Sequence, residues 1–260
     1  MDRRELCGDG FEEEEAEDTA AEGMIRDLCG QGTERNTGGV ERGIEITGGQ
    51  EMKVLVIPDV HLKPWMFERA SEIMEKGTVE RAVCLMDIPD DWNQEYNRYL
   101  WDERESGYSP AAAYTVVKKL EELKSALPEG NEIRYVQKID NVLFCHGGIT
   151  DYFVKKVVPA SKYDDVDEVV RIINGLPREY MWSDVSPIWY RPQYTSGKMY
   201  GEDKILQVVG HTPVEEIYRE GNVISCDVFS TYRDGRAIGT EEFAVVETER
   251  WEYVGEVKNE

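Results

Sequence analysis

Histidine is scarce in this chain, with three in 260 residues, and so is positive charge. Thirty Lys and Arg stand against 53 Asp and Glu, for a formal net charge of −23. Such a chain repels phosphate backbones and anionic bilayers, which argues against binding nucleic acid through a basic face. Long apolar runs are missing too, and nothing approaches the ~20 residues that a membrane-spanning helix needs. The opening Met1-Asp2-Arg3-Arg4-Glu5-Leu6 runs into acidic residues at 12–15 and lacks the apolar core of a signal peptide. Cysteines number five, an odd count, and no two are spaced Cys-x-x-Cys. Cys84, Cys145 and Cys226 lie in apolar runs and read as small buried hydrophobes, whereas Cys7 and Cys29 lie in polar sequence. These absences lead us to expect a soluble protein of the reducing cytoplasm with no membrane partner. Local carboxylate clusters in so acidic a chain have divalent cations as their natural partners.

Scarcity makes the position of each histidine informative. Val54-Leu55-Val56-Ile57 reads as a buried strand, stopped by Pro58, and Asp59-Val60-His61 follows at once. His146 follows the apolar run at 141–145, and His211 follows the run at 205–210. Every histidine therefore sits just past a predicted strand. In α/β proteins ligands gather where the backbone leaves the carboxyl ends of parallel strands. A turn carboxylate beside a surface histidine would explain Asp59 and His61 alone, but it does not explain all three positions. Gly147-Gly148, directly after His146, allows a ligand to approach the backbone closely.

Residues 1–51 form a separate region, rich in Glu, Asp and Gly, with Phe11 as the single aromatic. They cannot bury enough apolar surface to offset the entropy of ordering, so a disordered acidic tail is expected there. The folded domain is expected over 52–260. Spacing predicts a helix over 67–76 and a strand over 82–86 ending at Asp87, a β-α-β unit with parallel strands. A carboxylate-rich loop with Asp90 and Asp91 follows, then a polar, plausibly helical stretch at 93–104. Ser109-Pro110 opens a helix that runs to about Leu127. Residues 133–136 and 142–144 read as a hairpin, and helices are expected over 150–158 and 165–174. An aromatic, Pro-containing loop at 180–200 borders the expected site. Strands at 205–209, 223–226, 243–247 and 251–254 close a mixed α/β (α+β) domain.

In order, the motifs are Asp59-x-His61, Asp87-x-x-Asp90, His146-Gly147-Gly148 and Gly210-His211-Thr212-Pro213. This series resembles the calcineurin-like metallophosphoesterase superfamily over 52–254. It is most similar to the branch holding serine/threonine protein phosphatases and diadenosine tetraphosphatases. Residues 222–227, ending in Cys226-Asp227, are similar to that branch's final strand. The resemblance implies an αββα sandwich with two divalent metal ions (Mn, Fe, Zn or Ni) at its edge. Asp59 and His61 would hold the first ion, Asp87 would bridge, and His146 and His211 would hold the second. Asp87 and His146 would be catalytic as well. Two such ions about 4 Å apart activate water as hydroxide and clamp a phosphoryl group.

Departures from the family pattern bear on activity. The Gly-Asn-His motif, which supplies a ligand to the second ion and the acid for the leaving group, is absent. A helix-strand unit is missing with it, and the second metal site is expected to be weak. Asn131 is a substitute ligand if the 133–144 hairpin turns at Lys138-Ile139; otherwise Gly130-Asn131 is only a turn. Met86 replaces the usual glycine before the bridging aspartate, and Asp91 replaces an arginine. Arg191 is an alternative phosphate contact, or else a surface arginine stacked on an aromatic. The expected function is a metal-dependent phosphoesterase of impaired activity. Without its acid, it would work best on esters with good leaving groups. The alternative is a degenerate fold that binds a metal or phosphorylated ligand without hydrolysis. A carrier for the acidic tail is a third reading, but a carrier has no need of five ligand positions. The partner implied is a phosphorylated substrate, and the sequence leaves its class and the oligomeric state open.

Overall fold

The computed structural model describes residues 52–61, 63–88, 118, 121–232, 234–250 and 252–258. The acidic tail, the loop with Asp90 and Asp91, the 93–104 stretch, the Ser109-Pro110 helix start and the missing helix-strand unit fall outside them. Residues 118 and 121–126 are helical, as expected for the end of that helix.

Strand β1 (Lys53–Ile57) is buried along nearly its whole length. Helix α1 (Trp65–Glu75) follows and buries Met66, Ala70 and Ile73, an i, i+4, i+7 stripe. It stops at Gly77, whose φ of 69° suits a residue without Cβ and whose N–H reaches Met74 O. Strand β2 (Arg81–Cys84) then pairs parallel to β1, with Ile57 opposite Cys84. The expected β-α-β unit is present.

A tight hairpin joins β3 (Val136–Ile139) to β4 (Val142–Cys145), with Ile139 opposite Val142. Its turn is Asp140-Asn141, Asp140 having φ 48°, rather than Lys138-Ile139. Helix α2 (Asp151–Val157) is capped by Thr150, which accepts from Phe153 N–H. Helix α3 (Val166–Asn174) is capped by Asp165, which accepts from Glu168 N–H. Acidic residues at 164–168 thus cap and charge a helix N-terminus. Five strands complete the chain: β5 (Leu206–Val209), β6 (Tyr218–Glu220), β7 (Val223–Ser225), β8 (Glu242–Glu247) and β9 (Glu252–Lys258).

They form two mixed sheets, ordered β2-β1-β8-β9 and β3-β4-β5-β7-β6. Alternation along β4 shows how the sheets stack. Val142 and Phe144 join Leu55, Phe243 and Val208 in one cluster, which also includes the rest of β1, with both of its faces, and the α1 stripe. Leu143 and Cys145 point the other way, to Phe153, Val154, Val169 and Ile173 of α2 and α3. The layers therefore run helix, sheet, sheet, helix, which is the expected αββα order. No described helix is long and apolar enough to cross a membrane.

One buried polar side chain ties the turn after His146 to the second sheet. Gln207, fully buried on β5, accepts from Ile149 N–H at 2.8 Å and donates to the carbonyls of Ile149 and Tyr200, both at 3.0 Å. Gln207→Leu would leave the Ile149 N–H without a partner, at about 1–3 kcal/mol, while Ile149 O keeps the Tyr200 N–H and Tyr200 O keeps the Asn222 amide. We expect a loss of about 1–3 kcal/mol in urea unfolding. A loss below about 1 kcal/mol would show that the turn does not depend on this amide.

Candidate metal centre

Four strands from two sheets deliver their carboxyl ends to one place. β1 and β2 run parallel and release Asp59, His61 and Asp87 there. Val60 N–H donates to Met86 O at 3.1 Å and His61 N–H to Asp87 O at 2.8 Å, which locks the two turns together. β4 and β5 also run parallel, with Cys145 opposite Val209, and release His146 and His211 side by side. Gly210 N–H donates to His146 O at 2.9 Å, and the two imidazole centroids are 4.7 Å apart.

Asp59 joins the halves. Its carboxylate is fully buried, and Oδ2 accepts from His211 N–H at 2.6 Å. Its Oδ1 lies 3.5 Å from His146 Nδ1, close enough for charge attraction, yet takes no hydrogen bond. A Cβ on Gly210 would stand 2.0 Å from that oxygen, so glycine is required for the carboxylate to sit there. One ligand atom each from Asp59, His61 and Asp87 lies within 4.8 Å of the others. His61 Nδ1 is 3.8 Å from Asp87 Oδ2. Four of the six non-glycine residues with positive φ among those described are here: His61 (45°), Met86 (81°), Asp87 (43°) and His211 (63°). Unusual backbone concentrated at one spot is characteristic of functional sites.

Tautomers and charges follow from these neighbours. His146 Nδ1 lies 3.1 Å from Leu85 O, and a carbonyl can only accept, so Nδ1 carries a proton and Nε2 is the nitrogen that holds the lone pair when the ring is neutral. Burial opposes the charge on His146, but the Asp59 carboxylate outweighs it and holds the imidazole above its usual range. The same pairing, helped by His61 and the His211 N–H, holds Asp59 below the usual carboxylate range against its own burial. His211 is pushed the other way, down to about 3, by burial and by the positive charges of His146 and Arg191. It is therefore neutral near pH 7, and its Nε2 is buried without a partner. An orphaned carboxylate oxygen and an orphaned imidazole nitrogen in one Asp/His cluster fit a divalent ion of the Mn, Fe, Zn or Ni type.

Asp59, His61 and Asp87 thus bring ligand atoms together, and His146 and His211 lie beside Asp59 outside that group. Asn131 does not join them: it is exposed in a turn closed by its own N–H on Pro128 O, because the hairpin turns two residues later than the substitute role required. Glu132 beside it is ion-paired with Arg134. Arg191 does reach the site. Its Nη1 donates to His211 O at 2.5 Å and to Thr212 Oγ1 at 3.2 Å, so it is anchored there rather than stacked on an aromatic.

Asp227 had no role in the sequence reading, although it too follows a strand end. It is fully buried just past β7, with Ser230 Oγ 2.8 and 2.9 Å from its two oxygens. Burial, with the nearby Asp59 charge, pushes its carboxyl up to about 8, while Ser230 and His146 pull the other way.

No family model matches the chain, and no curated protein matches it. Among solved structures it is similar to the cold-active protein-tyrosine phosphatase of a psychrophilic Shewanella species. The two are 18% identical with a TM-score of 0.43, over 77% of this chain and 76% of that one. A second structure of a cold-active protein-tyrosine phosphatase is 14% identical with a TM-score of 0.38, over 77% of each chain. Likenesses this distant do not bear on the chemistry of the site.

Two measurements test the local account. Met86 holds a backbone conformation that favours glycine, and its side chain is not among those packed on either core. Met86→Gly should therefore raise stability by about 1 kcal/mol, or a few degrees in Tm. An unchanged or lower Tm would mean that the side chain contributes more than the strain costs.

The second concerns Asp227 in metal-stripped protein. A carboxyl raised from about 4 to about 8 stabilises the fold fully below pH 4, and that contribution is lost as pH rises through 8. His211 works oppositely, since its contribution is present above pH 6.5 and fades as pH falls toward 3. Urea unfolding between pH 5 and 9 should show parent stability falling by a few kcal/mol relative to Asp227→Asn. Parallel curves would mean that Asp227 is already ionised at neutral pH.

Proposed function

We propose that the chain is a metal-dependent phosphoesterase, with Asp59, His61 and Asp87 holding one divalent ion and His146 and His211, with Asp87, holding a second. The observation that carries this reading is the pair of buried atoms without hydrogen bonds, Asp59 Oδ1 and His211 Nε2, beside the converging ligand atoms of Asp59, His61 and Asp87. When bound, such ions activate water and polarise a phosphoryl group.

The chain's own residues prepare for that task. Asp59 is kept anionic and aimed by the His211 N–H, while His211 is kept neutral so that its lone pair is available. Leu85 O fixes the His146 ring through Nδ1, as outer-shell carbonyls do for ligating histidines. Arg191, anchored on His211 O and Thr212 Oγ1, brings positive charge beside the cluster for a phosphate oxygen. The chain has only three histidines, and all three belong to the cluster, so none is left as a separate acid. General acid catalysis contributes about 10²–10⁴-fold, so phosphate esters whose leaving groups need no proton are the better substrates.

The test is manganese-dependent hydrolysis of 4-nitrophenyl phosphate together with metal content by elemental analysis. His61→Ala and His211→Ala should each remove about one equivalent of bound metal and lower the rate by about 100-fold or more. A chelator-insensitive rate, or metal content unchanged in both variants, would overturn the proposal. Metal bound normally with no turnover of any phosphate ester would favour the binding-protein alternative.

A further inference from the structure

The site continues beyond His211 into a wall of exposed indoles. Trp189 stands edge-to-face with His211, centroids 5.6 Å apart and planes at 81°. Trp182 stacks on Trp189 at 6.1 Å with the planes at 27°. Both are open to solvent, Trp189 by 41% and Trp182 by 68%, and neither belongs to either hydrophobic core. The same segment buries Met181 and Tyr190, so it turns those two side chains inward and the indoles outward. Aromatic surface left exposed beside a reactive cluster marks a contact with something planar and apolar.

The wall is also held in place. Ser186 Oγ donates to Met181 O at 2.9 Å, and Trp189 and Tyr190 N–H both donate to Ser186 O. Gly147 N–H donates to Pro187 O at 2.6 Å and Gly148 N–H to Tyr190 O at 3.1 Å. A Cβ on Gly147 would meet Tyr190 O at 2.7 Å, so the glycine after His146 is what lets the segment dock this closely. The indoles are thus referenced to His146 through these backbone bonds and to His211 by direct ring contact.

We infer that Trp189 and Trp182 recognise the leaving group, and that the phosphate is carried directly on an aromatic ring, as in a phosphorylated phenol. This rests on the phosphoesterase reading above and gives it a substrate class. Trp189 touches His211 itself, so the substrate group that meets it is the one bonded to the phosphate. A nucleobase, separated from its phosphate by a sugar, would lie farther out. The phenolate released from such an ester is also the leaving group that least needs a protonating histidine.

Binding of uncleaved phosphonates isolates recognition from leaving-group chemistry. With manganese-loaded protein, calorimetry should find phenylphosphonate about three- to tenfold tighter than methylphosphonate. Trp189→Ala and Trp182→Ala should bring the two close to parity by weakening only the phenyl compound, and Trp189→Phe should keep most of the preference. Trp182 is mostly exposed, so its variant remains informative if Trp189→Ala does not fold. Equal affinities in the parent, or a preference that survives both alanine variants, would overturn the inference. Adenosine monophosphate bound more tightly than phenylphosphonate would also overturn it, in favour of a nucleobase on the wall. If neither phosphonate binds with manganese present, the phosphoesterase reading fails and the inference fails with it.

Discussion

The buried carboxylate of Asp59 is the contact on which the arrangement depends. It comes from the first sheet, yet its oxygens face the backbone of His211 and the ring of His146 on the second. A charge with no exposure is costly unless its surroundings answer it. Here a backbone N–H, two imidazoles and the absent Cβ of Gly210 do so. The same carboxylate raises His146, and with burial it helps to keep Asp227 neutral at pH 7. The electrostatics of the whole cluster therefore follow from where one side chain sits.

Much of this was legible in the sequence because the residues concerned obey strong local rules. Strand ends are marked by β-branched runs that stop at Pro, Asp or Gly, so Asp59, Asp87, His146 and His211 could be placed by counting along the chain. The expected helix starts at 150 and 165 coincide with the caps Thr150 and Asp165. The resemblance supplied the αββα stacking, which alternation along β4 bears out.

What was misread depended on contacts distant in sequence or on backbone detail. The run at 133–136 is β-branched enough to suggest a strand, but pairing starts at Val136, and Asp140-Asn141 makes the turn. That two-residue signal was available, and missing it led to the role suggested for Asn131. β6 is three residues long and two of them are charged, too short to announce itself. The surroundings of Asp227 and the outward stacking of the two indoles arise only when separate strands and loops meet. Met86 was noticed as an oddity, and its φ of 81° is one that glycine adopts more readily.

The order of strands in the two sheets has a further consequence, for synthesis. The second sheet is built from an unbroken run of chain, β3 to β7, between residues 136 and 225. The first sheet needs both ends of the domain, since β1 pairs with β8 across nearly two hundred residues, Val54 facing Val246. As the chain leaves the ribosome, the second sheet can form while β1 still lacks β8. Pairings between residues so far apart in sequence are the slow ones in folding. Asp59, His61 and Asp87 sit beside those late pairings, so the buried contact of Asp59 with His211 marks the closing of the last strands rather than the start of folding.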